Sequence, residues 1–330
     1  MQYLSIKKEE WDKAIEQLLL SCTIFVAVDN EFGIDYEMLS PSNISRISYN
    51  RAKPATSLKS FFLPVKENVT SDPSLKKQRI IIGAPNCDIQ GLKLLDEIYL
   101  DKNFNDIFYS ERRENTILIS FDCFEKQEHC HCTAYSIKPW TDVDADLAVI
   151  LVENEIVLRI ITDKGKDFIS QFSLVKPLND KEIISAIDRA HSTTESVLIE
   201  SNKGLPDYTT TGKIVKEAGV AIWKKYSAHC VSCGACATIC PTCTCFLLID
   251  KPGFEKIKQL DACQYPGFER VAGGEDSLFD LPGRFRNRYM CKYVWKPEKF
   301  SSIACTGCGR CTEACIGKIN KNELFIELAT

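Results

Sequence analysis

Two short runs of cysteine in the last third of the chain contain side chains that could bind metal. Both have the spacing C-x2-C-x2-C-x3-C, which is how a polypeptide wraps a cubane 4Fe–4S cluster. A single C-x2-C pair often means zinc, but four cysteines at this spacing, present twice, fit two tetrahedral zinc sites poorly. The first run is followed by Pro241 and the second by Ile316; because proline is not a ligand, this difference changes nothing chemical. The runs are Cys230, Cys233, Cys236 and Cys240, and Cys305, Cys308, Cys311 and Cys315.

The fourth cysteine of each run is expected to cross over to the other run's cluster. This is the arrangement in two-cluster ferredoxins, where the fourth ligand points away from its own loop. Gly234 and Gly309 follow the second cysteine of each run, where a side chain would crowd the cluster and where backbone N–H groups can donate to its sulfurs. We therefore predict two 4Fe–4S clusters. The first is held by Cys230, Cys233, Cys236 and Cys315, and the second by Cys305, Cys308, Cys311 and Cys240.

Four further cysteines lie in the first half of the chain. One follows the predicted buried strand 80–82 and another follows the predicted buried strand 116–121, while the remaining two form a compact Cys-His-Cys pair. They match no simple motif, yet they could converge on a third cluster, with iron–sulfur favoured over zinc; the alternative, that they do not converge, stays open. We expect His129 and His131 to be surface histidines. The four cysteines are Cys87, Cys123, Cys130 and Cys132.

The stretch between Cys240 and Cys305 is too long for a structureless loop inside a compact domain, so we expect a cysteine-rich insert at about 243–300. Its four thiols could hold a further cluster, but packing as small buried side chains around the clusters is favoured. The segment Arg284–Arg288 would place three arginines on one face if it were extended. The cysteines of the insert are Cys243, Cys245, Cys263 and Cys291.

Hydrophobic periodicity predicts the elements that position these cysteines. Helical spacing of apolar residues predicts helices at 7–20, 89–99, 180–200 and 211–226, and buried apolar runs predict strands at 23–28, 80–82 and 116–121, with two more within 146–162. Asp88 is placed to cap the helix that follows it. The expected fold class is α+β, with an α/β partner-docking domain at residues 1–204 and a helical ferredoxin-like dicluster domain at 205–330.

Composition indicates the class of protein and the compartment in which it works. The chain has 330 residues, 17 cysteines and a formal net charge of −4, which does not favour nucleic-acid binding. The N-terminal residues run into a charged stretch without an apolar leader, and no early apolar segment is long enough to span a bilayer. We therefore expect a reducing cytoplasm, where clustered cysteines are more often metal ligands than disulfides.

At several of these segments the sequence resembles a known family, the beta (iron–sulfur) subunit of cytoplasmic sulfhydrogenases, which are soluble NiFe hydrogenases with a sulfur-reductase arm. It is similar, too, to the corresponding subunit of anaerobic sulfite reductase. The likeness covers nearly the whole chain. The segments that carry it are 87–96, Arg112-Arg113, Cys123 with 130–132, 240–246, 272–274, 286–292 and 308–311.

The resemblance implies an iron–sulfur electron-transfer subunit of a hetero-oligomeric oxidoreductase. It would relay electrons between a flavoprotein that exchanges electrons with NAD(P)H and a terminal catalytic subunit of the hydrogenase or sulfite-reductase type. Nothing in the sequence indicates a catalytic residue in this chain, and no G-x-G-x-x-G follows a strand. Two alternatives are a catalytic subunit with its own flavin and a redox-sensing or scaffold protein whose clusters are structural.

Overall fold

The computed structural model describes residues 3–51, 53–71 and 77–330. Met1 and Gln2, which belong to the charged N-terminal stretch, lie outside the described residues. Within the described ranges, no helix is both long and apolar enough to cross a membrane.

The first half of the chain is built on a mixed sheet, to which the described residues contribute eight strands. The strands read as buried apolar runs because the sheet is covered on both faces, and the run at 116–121 is buried at every position. The strands, together with one that belongs to a smaller sheet, are β1 (Tyr3–Lys7), β2 (Cys22–Asn30), β3 (Gly33–Met38), β4 (Lys66–Asn68), β5 (Gln78–Ala84), β6 (Thr116–Phe121), β7 (Leu147–Val152), β8 (Glu155–Ile160) and β9 (Lys176–Pro177). The large sheet has the order β3-β2-β5-β6-β7-β8-β1-β9, and its central strands β2, β5, β6 and β7 run parallel.

Helices accompany this sheet, and two apolar clusters cover its faces. Trp11 and Ile15 anchor one cluster, whereas Ile89, Leu92 and Leu95 belong to the other. The helices are α1 (Lys8–Gln17), α2 (Asn86–Tyr99), α3 (Ile107–Glu114), α4 (Asp163–Ile169) and α5 (Lys181–Ser201). The predicted helices and strands of this half are confirmed, but the structure adds elements that were not expected: β1, β3, β4, β9, α3 and α4.

The second half is mainly helical and winds around the two cysteine runs. Its elements are α6 (Tyr208–Glu217), α7 (Val220–Ser227), α8 (Ala235–Thr238), β10 (Phe246–Lys251), β11 (Glu255–Leu260), α9 (Leu281–Met290), a π-helical turn (Cys291–Trp295), α10 (Lys296–Lys299), α11 (Arg310–Glu313) and α12 (Lys321–Ala329). The single helix expected at 211–226 is wrong, because the chain breaks at Ala218 and Gly219 into α6 and α7. The extended conformation considered for Arg284–Arg288 is also wrong, since this segment lies inside α9.

The insert is tied to the N-terminal half by a small sheet. Strand β11 pairs with β10 on one side and with β4 on the other, in the order β10-β11-β4. Lys258 on β11 is buried and forms ion pairs with Glu67 at 3.1 Å and Asp106 at 2.7 Å. The α/β character of the N-terminal half is as expected, but the division of the chain at residue 204 stays a prediction.

Candidate metal centres

The first cysteine run and the end of the second line one cavity. Cys230, Cys233, Cys236 and Cys315 all lie in its wall, which is the crossed set that the spacing predicts, and Cys311 borders it as well. Gly234 has a φ of +72°, and a Cβ at this position would come within 2.6 Å of the Tyr265 ring. The positive φ favours glycine at this position, and a larger residue would also have to displace the Tyr265 ring. That these four cysteines are ligands stays a prediction.

The second set lies deeper in the protein. Cys240, Cys305 and Cys308 are buried, whereas Cys233 of the first set is exposed. Lys292 Nζ donates to Cys240 Sγ at 3.0 Å, and Lys321 Nζ lies 3.4 Å from Cys305 Sγ. Sequence reasoning missed both lysines, because Lys292 is 52 residues from Cys240 and nothing local marks it.

The two lysines affect the pKa values of the thiols in this set. Burial raises the pKa of Cys305, but Lys321 and His131 oppose it strongly enough to hold the pKa well below its usual value. The pKa of Cys240 is also held well below its usual value, first by a hydrogen bond from Cys243 and then by Lys292, against the effect of burial. Cys308 behaves differently, because burial raises its pKa to about 12. Two thiolates of this set are thus stabilised in the interior.

Buried cations without carboxylates provide a test of whether these sites fit an anionic cofactor. Lys292, Lys321 and Arg288 are each at most 4% exposed. Among the described residues none of the three forms an ion pair with a carboxylate, and cysteine sulfurs are the anionic groups that the two lysines contact. A buried cation without an anionic partner costs several kcal/mol, so these cations favour an anionic group at the sulfurs that they face. A 4Fe–4S cluster with four thiolate ligands carries net negative charge, and the surroundings fit it.

The four N-terminal cysteines also converge. Cys87, Cys123, Cys130 and Cys132 line a second cavity together with the buried ammonium group of Lys53. Cys87 lies in the first turn of α2, Cys123 follows β6, and the other two lie in the loop before a 3-10 helix and at its start. Burial raises the pKa of Cys123 to about 12 and raises those of Cys87 and Cys132 as well.

This N-terminal cavity adjoins the second cysteine run through direct backbone contact. Cys308 lies in its wall, and His131 N donates to Gly307 O at 2.8 Å. The expectation that His131 is a surface residue is wrong: it is 1% exposed and its Nε2 lies 2.8 Å from Lys321 Nζ. Burial, followed by the charge of Lys321, lowers its pKa. His129 is half-buried rather than exposed.

The carboxylate of Asp88 does not cap α2, contrary to the prediction from the sequence. The N-cap of α2 is Pro85, and no side chain caps the helix. Asp88 instead forms a buried ion pair with Arg310, at 2.5 and 2.9 Å, and accepts a hydrogen bond from Leu58 N at 3.0 Å. Arg310 stands between Cys308 and Cys311, so the pair joins the N-terminal half to the second run.

The insert cysteines come together only in part. Cys243 and Cys240 share a hydrogen bond, and Cys245 and Cys263 share another, which lowers the pKa of Cys245 to about 6. Cys291 lies on a separate element, at the start of the π-helical turn. A further cluster held by Cys243, Cys245, Cys263 and Cys291 stays a prediction, and it is the less favoured one.

Ligand spacing differs between a cluster and a single ion. Among the described residues, no three Cys, His, Asp or Glu side chains are grouped tightly enough to hold one metal ion. The first predicted set and the N-terminal set instead stand around cavities, as they must for a cubane that takes one thiolate at each of four iron corners.

Comparison with known proteins adds two findings. Residues 229–319, which contain both cysteine runs, match the model of the 4Fe-4S dicluster domain. This part of the chain is therefore similar to a domain named for two 4Fe–4S clusters. It is also 25% identical to sulfhydrogenase 2 subunit beta of Pyrococcus furiosus, and the likeness spans 99% of this chain and 98% of that protein. The resemblance stated from the sequence is thereby confirmed for the sulfhydrogenase beta subunits.

Proposed function

We propose that this chain is the iron–sulfur electron-transfer subunit of a multisubunit oxidoreductase. The observation that carries the proposal is the pair of buried lysines, Lys292 and Lys321, whose ammonium groups contact sulfurs of one cysteine set without any carboxylate partner among the described residues. When bound, 4Fe–4S clusters accept and donate single electrons. The residues of this chain hold them, neutralise their charge and fix their positions relative to one another.

Two 4Fe–4S clusters have the ligand sets expected from crossed ligation in this proposal. Cys315 and Cys240 each complete the set of the other run, and the cavity that Cys315 shares with the first run supports this. If it is correct, Cys315→Ser alters the same electron paramagnetic resonance signal as Cys230→Ser. It then leaves intact the signal that Cys305→Ser alters. The reverse pattern would show that each run holds its own cluster.

A third cluster is assigned to the N-terminal cysteines. Its support is the shared cavity, the buried Lys53 in the wall, and the 3.8 Å from Lys53 Nζ to Cys130 Sγ. Three 4Fe–4S clusters contain about twelve irons, so Cys87→Ser should reduce the iron content from about twelve to about eight per chain. The control is Cys22→Ser, which alters a buried thiol on β2 outside all of the sets and should leave the iron content unchanged.

The partners are inferred from the resemblance and from the relative in Pyrococcus furiosus, which is itself a subunit of a sulfhydrogenase. In this proposal the chain receives or delivers electrons at a flavoprotein that uses NAD(P)H, and it exchanges them with a terminal catalytic subunit in a cytoplasmic hetero-oligomer. The curated relative favours a hydrogenase or sulfur-reductase type of terminal subunit over a sulfite-reductase type.

The test of this function uses the full chain purified without oxygen. Dithionite should reduce its centres reversibly in one-electron steps, whereas NADH alone should not reduce them at a useful rate. A bound flavin in the absorbance spectrum, or rapid reduction by NADH, would favour a catalytic flavin subunit instead. Centres that do not titrate reversibly would favour a structural role for the clusters.

A further inference from the structure

The π-helical turn in the insert aims one lysine at a predicted cluster ligand. The helix that begins with α9 changes to π-type hydrogen bonding at Cys291–Trp295 and resumes as α10. Such a turn rotates the side chains within it relative to a regular α-helix, and π-turns are frequent at functional sites. The ammonium group of Lys292 meets three acceptors for its three protons: Cys240 Sγ at 3.0 Å, Thr242 Oγ1 at 2.8 Å and Ala304 O at 3.1 Å.

A second lysine reaches the same cysteine set from another element. Lys321, the first residue of α12, lies 3.4 Å from Cys305 Sγ and 3.1 Å from the hydroxyl of Tyr293, which belongs to the π-turn. Both lysines are 2% exposed. Two ligands of one set therefore each have a full positive charge in contact with their sulfur.

The first set has no comparable contact among the described residues. Its sulfurs are approached by backbone amides, Ser232 N to Cys230 Sγ and Ile319 N to Cys315 Sγ, each at 3.4 Å. Arg288 and Lys321 both lie in the wall of the cavity of this set, but neither contacts one of its sulfurs; Arg288 reaches the carbonyl oxygen of Cys236, at 3.2 Å. The distribution of charge-assisted donors between the two sets is thus unequal.

Charge in contact with a cluster affects the ease with which it is reduced. Adding an electron to an anionic group becomes more favourable when cations and hydrogen-bond donors face its sulfurs. Burial acts in the opposite direction, because it removes water from the reduced form. In the second set the contacting charges act inside a low-dielectric interior, where they are worth more than at a surface, so we expect them to outweigh the burial.

We propose that the cluster of the second set has the higher reduction potential of the two ferredoxin-type clusters, and that Lys292 is the positioning residue that raises it. This inference rests on the proposed function, since it needs two clusters with crossed ligands. It places the preferred site of a stored electron next to Gly307, where the second run contacts the N-terminal cysteines, and away from the exposed Cys233.

The test is an anaerobic redox titration of the full chain, followed by electron paramagnetic resonance. Lys292→Met should shift the higher of the two ferredoxin-type midpoints to a more negative value and leave the lower one unchanged. Lys292→Arg keeps the charge and should retain most of the wild-type value. Lys296→Met is the matched control, because Lys296 Nζ lies in the same region but bonds to Thr242 O and Thr244 Oγ1, not to a sulfur.

A second variant identifies the cluster that shifts. Lys321→Met should move the midpoint that Lys292→Met moves, since both lysines contact sulfurs of one set, and it should also lower the other midpoint, because Lys321 lies in the wall of the cavity of the first set. The proposal is overturned if Lys292→Met leaves both midpoints in place, if Lys321→Met does not move the midpoint that Lys292→Met moves, or if Lys296→Met has the same effect as Lys292→Met. If the methionine variant loses iron, Lys292→Gln keeps an N–H donor without the charge, and its midpoint must still be more negative. A wild-type chain without two titrating 4Fe–4S signals would contradict the proposed function rather than this inference.

Discussion

Single residues in one half of the molecule determine whether a site in the other half can form. Gly307 lies in the second cysteine run, where its φ is +67° and an added Cβ would stand 2.6 Å from Cys132 Cα. The atom in the way belongs to the backbone, which cannot move out of the way by a change of rotamer as a side chain can. The thiols of Cys130 and Cys132 therefore take their places only because the neighbouring run has no side chain at this position.

Gly307→Ala should push the two halves apart at this contact. Gly253→Ala is the matched control, because Gly253 also has a positive φ, +81°, but an added Cβ there meets nothing within 4 Å. Both variants carry the strain of alanine in a left-handed conformation, and overpacking should cost the first about 1–3 kcal/mol more. Thermal unfolding and iron content measure the difference. Equal behaviour of the two variants would show that the contact at Gly307 is dispensable.

At the scale of elements, the insert hairpin is part of the N-terminal half as much as of the ferredoxin-like half. Strand β11 pairs with only three residues of β4, which is too little to hold it by backbone hydrogen bonds alone. Lys258 adds a buried ion pair to Glu67 on β4 and another to Asp106, which caps α3. The charges fix how the hairpin lies against the first half.

Lys258→Met should loosen this junction. Loss of a hydrogen bond to a charged group, here the one from Lys258 to Asp106, costs about 1.5–3 kcal/mol, and Glu67 keeps its other partner, Arg112. Limited proteolysis at the exposed hairpin turn, Pro252–Phe254, should become faster. Lys256→Met on the same strand removes an exposed pair with Asp250 and should leave the cleavage rate as in the wild type. Faster cleavage in both variants would point to a general effect of lysine loss.

Elements with a strong local pattern could be predicted from the sequence. The isoleucines of β5 and the continuous apolar run of β6 indicate buried strands without knowledge of their neighbours, and the spacing of the two cysteine runs indicates clusters because the ligands are close in sequence. The coarse fold, an α/β half followed by a dicluster domain at 229–319, follows from these patterns.

The features that could not be predicted depend on contacts between residues that are far apart in the sequence. The pairing of β4 with β11, the approach of Lys321 to Cys305 and the burial of His131 join segments whose own patterns contain no sign of one another. The helix over Arg284–Arg288 was missed for a different reason: alternating arginines suit an exposed strand, but Arg284 and Arg288 are one helical turn apart, so both can be buried on the same face of α9.

At the scale of the whole molecule, the two halves are joined by a buried ion pair. Asp88 and Arg310 are each 1% exposed, and Arg310 Nε also donates to Pro54 O at 2.9 Å. Asp88 follows Cys87 of the N-terminal set, and Arg310 lies within the second run. Together with the hydrogen bond from His131 N to Gly307 O, this pair sets the distance between two predicted clusters, and electron transfer between them depends on that distance.

Asp88→Asn should break this connection. It leaves the Arg310 guanidinium buried without its counter-charge, and removal of one partner from a buried pair costs about 3–5 kcal/mol. We expect the variant to unfold at lower urea and to lose iron from the N-terminal and second sets before the first set, as followed by absorbance and iron release. Glu200→Gln removes an exposed pair with Lys203 on the surface and should change neither property.

The double variant Asp88→Leu with Arg310→Met removes both charges and should recover part of the lost stability, because an apolar pair of similar size leaves no buried charge unmatched. If the single and double variants are equally unstable, the charge pair is not what joins the halves, and the other contacts between them, such as the pairing of β4 with β11, account for the connection.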